Sequence, residues 1–175
     1  LAPDAASYSS VYQTISVPSS AARVTLTFWR RPGSEGAGGD FQRGLLLRPG
    51  SYALIATIFK ELTTSDWRQM SYDLTPYRGQ SVVVYFEVYN DNTSSGPRAW
   101  MHLDDVSAQA CPTVAPAPTA TATPTPTVVP GEAVTPAPTP SVTPTATAQP
   151  LACEERIANG GFEATGGWTF AVTGN

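Results

Sequence analysis

Residues 81–89 read Ser-Val-Val-Val-Tyr-Phe-Glu-Val-Tyr and form the clearest β-strand pattern in the chain. Valine, tyrosine and phenylalanine favour a pleated, partly buried surface, and they make up most of this segment. A turn is predicted just before it, at residues 73–80, where Pro76 and Gly79 interrupt the apolar pattern. Since one strand cannot bury itself, the flanking sequence is expected to supply its partners.

Two segments near the start of the chain alternate apolar and polar residues. Residues 11–17 and 24–29 both have the period of two that is typical of a half-buried strand, and a turn at residues 18–20 separates them. The Arg-Pro-Gly at residues 31–33 is predicted to end the second strand. The two segments are therefore expected to be neighbouring antiparallel strands.

The other apolar segments are short and closely spaced. Residues 44–59 are predicted to form a hairpin, with a helix over residues 52–62 as the alternative for its second half. Residues 65–72 and 100–106 add two further strands. Short strands with frequent turn signals and no clear amphipathic helix predict an all-β fold, a two-sheet β-sandwich. Spacing alone leaves Greek-key and jelly-roll connectivity open.

Residues 112–152 have a different composition from the rest of the chain. They hold eleven of the 17 prolines, many threonines and alanines, a single charge at Glu132 and no aromatic residue. Such a segment cannot bury enough apolar surface to offset the entropy of ordering, so a disordered, extended linker is predicted. The predicted domains are a sandwich over residues 1–111, the linker, and a short β segment over residues 153–175.

The overall charge and the absence of catalytic motifs exclude several classes of function. The net charge is −4 and lysine and arginine do not cluster, which argues against a nucleic-acid partner. No apolar run reaches the roughly 20 residues of a membrane-spanning helix. The single histidine, His102, has no nucleophile at motif spacing, so the chain is not expected to be an enzyme.

An ordered series of short motifs over residues 8–108 resembles the galactose-binding-like jelly rolls. This group includes many bacterial carbohydrate-binding modules and accessory domains of secreted hydrolases and peptidases. The resemblance implies a sandwich of jelly-roll type that binds a polysaccharide or glycan in a secreted or cell-surface protein. The motifs are Tyr12–Pro18, Leu26–Trp29, Asp73-Leu74 with Tyr77–Gln80, Val84–Phe86 and Leu103–Val106.

In that family a domain commonly opens with a strand like Asn159–Glu163, followed by a tryptophan such as Trp168. By this resemblance the chain begins inside one copy of a tandem array and ends inside a second copy. A sandwich without its first strand exposes unpaired backbone groups along one edge. We therefore expect residues 157–170 to fold back onto residues 1–110 as a permuted first strand, within one chain or swapped between copies.

The resemblance also bears on the two cysteines, Cys111 and Cys153. It implies that they pair with each other if the segment folds back, and that each is left without its partner if it does not.

A calcium site is a further expectation from the resemblance. Asp104, Asp105 and Glu163 are expected to supply oxygen ligands to a structural Ca²⁺. The alternative is that Asp104 caps a turn and Asp105 satisfies buried backbone donors.

Aromatic and polar residues at alternating positions are the candidates for ligand binding. Such rings stack on sugars while polar neighbours hydrogen-bond the hydroxyls. The alternative is that these rings fill the sandwich, as is expected of Trp67 and Tyr72 and also of Tyr77. The candidates are Tyr85, Glu87 and Tyr89 on one strand face, Asn90 in the loop 90–93, and Trp29, Trp100 and His102.

The predicted function is that of a non-catalytic carbohydrate-binding module in a secreted or cell-surface multidomain protein. The linker would set the reach of neighbouring modules and so raise their effective concentration at a polymer. The alternative function is a structural or adhesive spacer that makes protein contacts and has no sugar site.

Overall fold

The computed structural model describes residues 6–36, 39–91, 98–113 and 152–174. Over these ranges there are nine β-strands and a short 3₁₀ turn at Thr75–Tyr77, with no α-helix and no helix able to cross a bilayer. The strands are β1 Ser7–Ser16, β2 Ala21–Ser34, β3 Phe41–Leu47, β4 Leu54–Glu61, β5 Arg68–Asp73, β6 Ser81–Asn90, β7 Ala99–Pro112, β8 Glu154–Glu155 and β9 Thr169–Gly174.

The strands form two antiparallel sheets that pack face to face, which confirms the predicted all-β sandwich. A five-stranded sheet has the order β4-β3-β6-β1-β9, and a four-stranded sheet has the order β5-β2-β7-β8. The expectation that residues 11–17 and 24–29 are neighbouring antiparallel strands is wrong, because β1 and β2 lie in different sheets. The predicted strand at residues 81–89 is β6, at the centre of the larger sheet. Strand β4 covers residues 54–61, so the alternative helix over residues 52–62 is not formed. The predicted linker falls almost wholly on residues 114–151, outside the described residues.

The core lies between the inner faces of the two sheets. Alternate residues of β2 and β6 point inward, among them Leu26, Phe28 and Phe86, which are at most 1 % exposed. The rings of Phe28 and Phe86 meet edge to face with centroids 4.9 Å apart. Side chains at the intervening positions therefore point away from the core and form the outer faces.

The expectation that residues 31–33 end the second strand is wrong, because β2 continues to Ser34. The pairing of β2 with β5 ends at Arg30, whereas its pairing with β7 continues to Ser34. The carbonyl of Pro32 accepts a hydrogen bond from the Ser65 N–H, so its ring nitrogen also faces the side that β5 has left. Because no strand pairs with β2 on that side, the missing N–H of Pro32 costs no hydrogen bond between strands.

Residues 152–174, here called the tail, complete both sheets. The tail supplies β8 beside β7 and β9 beside β1, and it adds Ile157 and Trp168 to the core. The predicted opening strand at residues 159–163 is wrong, since this stretch is a bend and turn. Its two glycines and the positive φ angles of Asn159 (53°) and Phe162 (57°) are incompatible with a regular strand.

Gln13 of β1 anchors the tail from inside the sandwich. Its Nε2 donates to the carbonyls of Ala158 (3.0 Å) and Gly167 (2.6 Å), and its Oε1 accepts from the Ala158 N–H (2.7 Å). Gly160 passes so close to β7 that a Cβ there would lie 1.9 Å from the Val106 carbonyl oxygen. The tail is thus fitted by backbone contact as well as by apolar burial.

A disulfide joins Cys111 at the end of β7 to Cys153 at the start of the tail. Next to it, Glu155 accepts hydrogen bonds from the side chains of Ser107 and Gln109 and from backbone N–H groups, including that of Ala108. Burial acts to raise the pKa of Glu155, but these bonds outweigh it and hold the pKa below its usual value. The carboxylate is therefore ionised at neutral pH and ties the tail to β7.

Candidate functional site

The outer face of the five-stranded sheet carries aromatic side chains in two cross-strand rows. In one row Tyr89 lies between Tyr8 and Phe41, with ring centroids 4.7 Å and 4.9 Å away. In the other row Tyr12 and Tyr85 are cross-strand partners whose rings stack at 5.6 Å. Tyr85, Glu87 and Tyr89 are alternate residues of β6 and point to the same side of the sheet. The row of side chains that contains Glu87 therefore lies between the two aromatic rows.

The middle row is polar and is centred on Glu87. Its members are Ser10, Glu87, Arg43 and Lys60, which are cross-strand partners on β1, β6, β3 and β4. Arg43 donates to Glu87 Oε2 through Nε (3.0 Å) and Nη2 (2.8 Å). Glu87 is only 2 % exposed, and its Oε1 has no hydrogen-bond partner among the described residues. A buried carboxylate oxygen without a partner is costly unless something donates to it.

A cavity of about 400 Å³, here called the groove, opens over this part of the sheet. Tyr52 forms one wall from the turn between β3 and β4, where its backbone has a φ of 53° and its ring meets Tyr12 edge-on at 5.7 Å. Burial raises the pKa of the Tyr85 phenol, so it stays protonated and able to donate at neutral pH. The lining residues are Arg43, Leu45, Leu47, Tyr52, Leu54, Thr57, Lys60, Tyr85 and Glu87.

The structure divides the predicted ligand-binding residues between two surfaces. Tyr85 and Glu87 line the groove, and Tyr89 lies in the aromatic row beside it. Trp29 and Trp100 are on the outer face of the four-stranded sheet, on the opposite side of the sandwich, together with exposed His102. These residues therefore do not form one common site.

Asn90 connects two strands and does not reach the groove. Its side-chain Nδ2 donates to the Ala99 carbonyl (3.1 Å) and its Oδ1 accepts from the Ala99 N–H (2.7 Å). The oxygen and the nitrogen of this amide therefore both form hydrogen bonds that join β6 to β7. Residues 92–93 of the predicted loop lie outside the described residues.

Sequence reasoning missed four residues that shape the groove: Tyr12, Tyr52, Arg43 and Lys60. The alternation over residues 11–17 already placed Tyr12 on the polar face of its strand, which was the available signal. Arg43 was missed because the predicted strand began one residue later, at Gly44. The position of Tyr52 depends on the turn after Gly50, which no periodicity encodes.

The three carboxylates predicted to bind calcium are arranged unequally. Asp105 and Glu163 lie on the same side of Gly161, where a Cβ would be 3.8 Å from Asp105 Oδ1 and 3.7 Å from Glu163 Cγ. Asp104 instead is the cross-strand partner of Trp29, and its Oδ1 accepts the Asp105 N–H at 2.8 Å. Within the described ranges no three histidine, cysteine, aspartate or glutamate side chains converge closely enough to hold a metal.

Comparison with known proteins adds no family to these observations. Neither a scan against protein-family models nor a search of curated proteins finds a match for this chain.

Proposed function

We propose that the chain binds carbohydrate non-covalently in the groove on the five-stranded sheet. The observation that carries the proposal is the buried, unpartnered Oε1 of Glu87 in a groove lined by the exposed ring of Tyr52 and the half-buried ring of Tyr85. A sugar hydroxyl would donate to this oxygen, while the ring of Tyr52, which is 48 % exposed, would cover an apolar sugar face.

The charges around the groove support a polyhydroxylated ligand. Arg43 already neutralises one oxygen of Glu87, so the second oxygen is an acceptor in a site of balanced charge. Lys60, whose Nζ lies 4.4 Å from the centroid of the Phe41 ring, adds a donor at the rim. Few polar anchors among mostly apolar walls are typical of small-molecule sites, and the resemblance to carbohydrate-binding modules points to the same ligand class.

Glu87→Gln and Tyr85→Ala are each expected to weaken carbohydrate binding by about tenfold or more. The glutamine loses the charged acceptor, and the alanine removes a donor together with part of the groove wall. A glycan array with the full chain would select an oligosaccharide, and calorimetric titration would then give the affinities.

Glu154→Gln is the matched control for Glu87→Gln, because Glu154 is 70 % exposed and lies on β8 of the four-stranded sheet, away from the groove. We expect it to bind as the wild type does. Equal affinity of all variants, with each shown to be folded by its unfolding midpoint, would contradict the groove as the site. A folded wild type that binds no glycan would favour the spacer function.

We further propose that Asp105 and Glu163, with backbone carbonyls, hold a structural Ca²⁺. Calcium takes six to eight oxygen ligands and accepts carbonyls among them. The two neighbouring carboxylates would supply part of this coordination, and backbone carbonyls would supply more. At a hundredfold excess over Kd, Ca²⁺ would stabilise the fold by about 2.7 kcal/mol. Thermal unfolding in Ca²⁺ and in EDTA tests this, and identical midpoints would exclude the site. The double variant Asp105→Asn, Glu163→Gln should melt alike in both.

A further inference from the structure

The outer face of the four-stranded sheet exposes three of the four tryptophans of the chain. Trp29 is 36 % exposed, Trp67 is 43 % exposed and Trp100 is 41 % exposed, whereas Trp168 is buried. The expectation that Trp67 fills the sandwich is therefore wrong. We call this surface the tryptophan face. Large aromatic rings left in water on one sheet are unusual and mark interaction sites.

The register of β2 against β7 makes the tryptophan face a continuous surface. The distance along β2 from Trp29 to Gly33, the cross-strand partner of Trp100, is about 13 Å. The Trp67 ring reaches over from the start of β5, with its centroid 6.3 Å from that of His102. The outward cross-strand pairs are Trp29–Asp104, Arg31–His102 and Gly33–Trp100.

Trp100 lies directly on Gly33. A Cβ at Gly33 would be 2.1 Å from Trp100 Cε2, so any other residue would push the indole off its present position. The absence of a side chain at Gly33 thus sets the orientation of the exposed ring. An aromatic ring held in a fixed position against the sheet loses little entropy when a ligand stacks on it.

A cavity of about 310 Å³ borders the Trp100 ring and mixes apolar and polar walls. Of its charged residues, Arg31 and Asp66 are opposite in sign, and Asp104 lies further along the same face. This balance does not fit a polyanion, which needs clustered cations, but it does fit an uncharged, polyhydroxylated ligand. The lining residues are Arg31, Pro32, Gly33, Thr64, Ser65, Asp66 and Trp100.

We propose that the tryptophan face is a second carbohydrate-binding surface, independent of the groove. Its ligand is a polysaccharide chain whose pyranose rings lie flat on Trp100 and its neighbours, with a hydroxyl group in the cavity beside Trp100. The inference rests on the proposed function for its class of ligand. Two sites on opposite faces would let one domain bridge two chains of a polymer and gain avidity.

The tryptophan signals allow ligand binding at the tryptophan face to be measured separately from binding in the groove. No tryptophan lines the groove, and Trp168 provides an internal reference because its indole N–H donates to the Asn159 carbonyl at 2.9 Å. Nuclear magnetic resonance of the ¹⁵N-labelled full chain would follow the four indole signals during titration with cellohexaose, xylohexaose and mannohexaose. At least one sugar should shift the signals of Trp100 and its neighbours and leave that of Trp168 unchanged.

Substitutions then separate this inference from the groove. Trp100→Ala should lower the affinity for the sugar that shifts the indole signals by about tenfold. Gly33→Ala should also lower this affinity, because its Cβ would displace the Trp100 ring. In Glu87→Gln the indole shifts should persist, so the tryptophan face stands even if the groove fails. The inference is overturned if none of the three sugars moves an exposed indole, or if the shifts disappear in Glu87→Gln.

Discussion

Trp168→Ala is expected to lower the free energy of unfolding by about 3–5 kcal/mol, the range for truncating a buried aromatic side chain. Trp168 is 8 % exposed and belongs to the core between the sheets. Its ring stacks on that of Phe162 at 5.0 Å, and its N–H satisfies the Asn159 carbonyl. The alanine would leave a cavity and remove one of the two hydrogen bonds that the Asn159 carbonyl accepts, the other coming from the Phe162 N–H at 3.1 Å.

Chemical denaturation of the variant and the wild type measures this loss, with Trp67→Ala as the matched control. Trp67 is 43 % exposed, so its removal should cost less than about 1 kcal/mol. Hydrogen exchange should show in addition that β9 loses protection in Trp168→Ala before the central strands do. An unchanged denaturation midpoint for Trp168→Ala would mean that the tail does not contribute to the core.

The body of the sandwich could be predicted from sequence because most of its strands are half-buried. Alternation of apolar and polar residues then appears directly, as it does over residues 11–17, and it also assigns each residue to a face. The extension of β2 past Pro32 could not be predicted, because it depends on long-range pairing: β2 still pairs with β7 there, whereas its pairing with β5 has ended. The strand expected at Asn159–Glu163 rests on a motif alone, without alternation of apolar and polar residues, and the structure has a bend and turn there.

The candidate site was only partly predictable for a related reason. Spacing by two residues correctly grouped Tyr85 with Glu87 and Tyr89 on one face of β6. The pattern of β2 likewise placed Trp29 outward, but an outward face does not identify the sheet to which a strand belongs. That assignment depends on the long-range pairing of β2 with β7, which put Trp29 on the opposite side of the sandwich.

Replacing both cysteines, Cys111→Ala with Cys153→Ala, is expected to lower the free energy of unfolding by about 4 kcal/mol. The bridge spans 42 residues of sequence, and in the chain-entropy model most of its effect is to restrict the unfolded state, where a long linker otherwise separates the tail from the body. Denaturation with and without dithiothreitol measures the loss. The reductant should destabilise the wild type by a similar amount and leave the double variant unchanged. If the oxidised wild type and the variant unfold at the same denaturant concentration, the contacts of Gln13, Glu155 and Trp168 hold the tail by themselves.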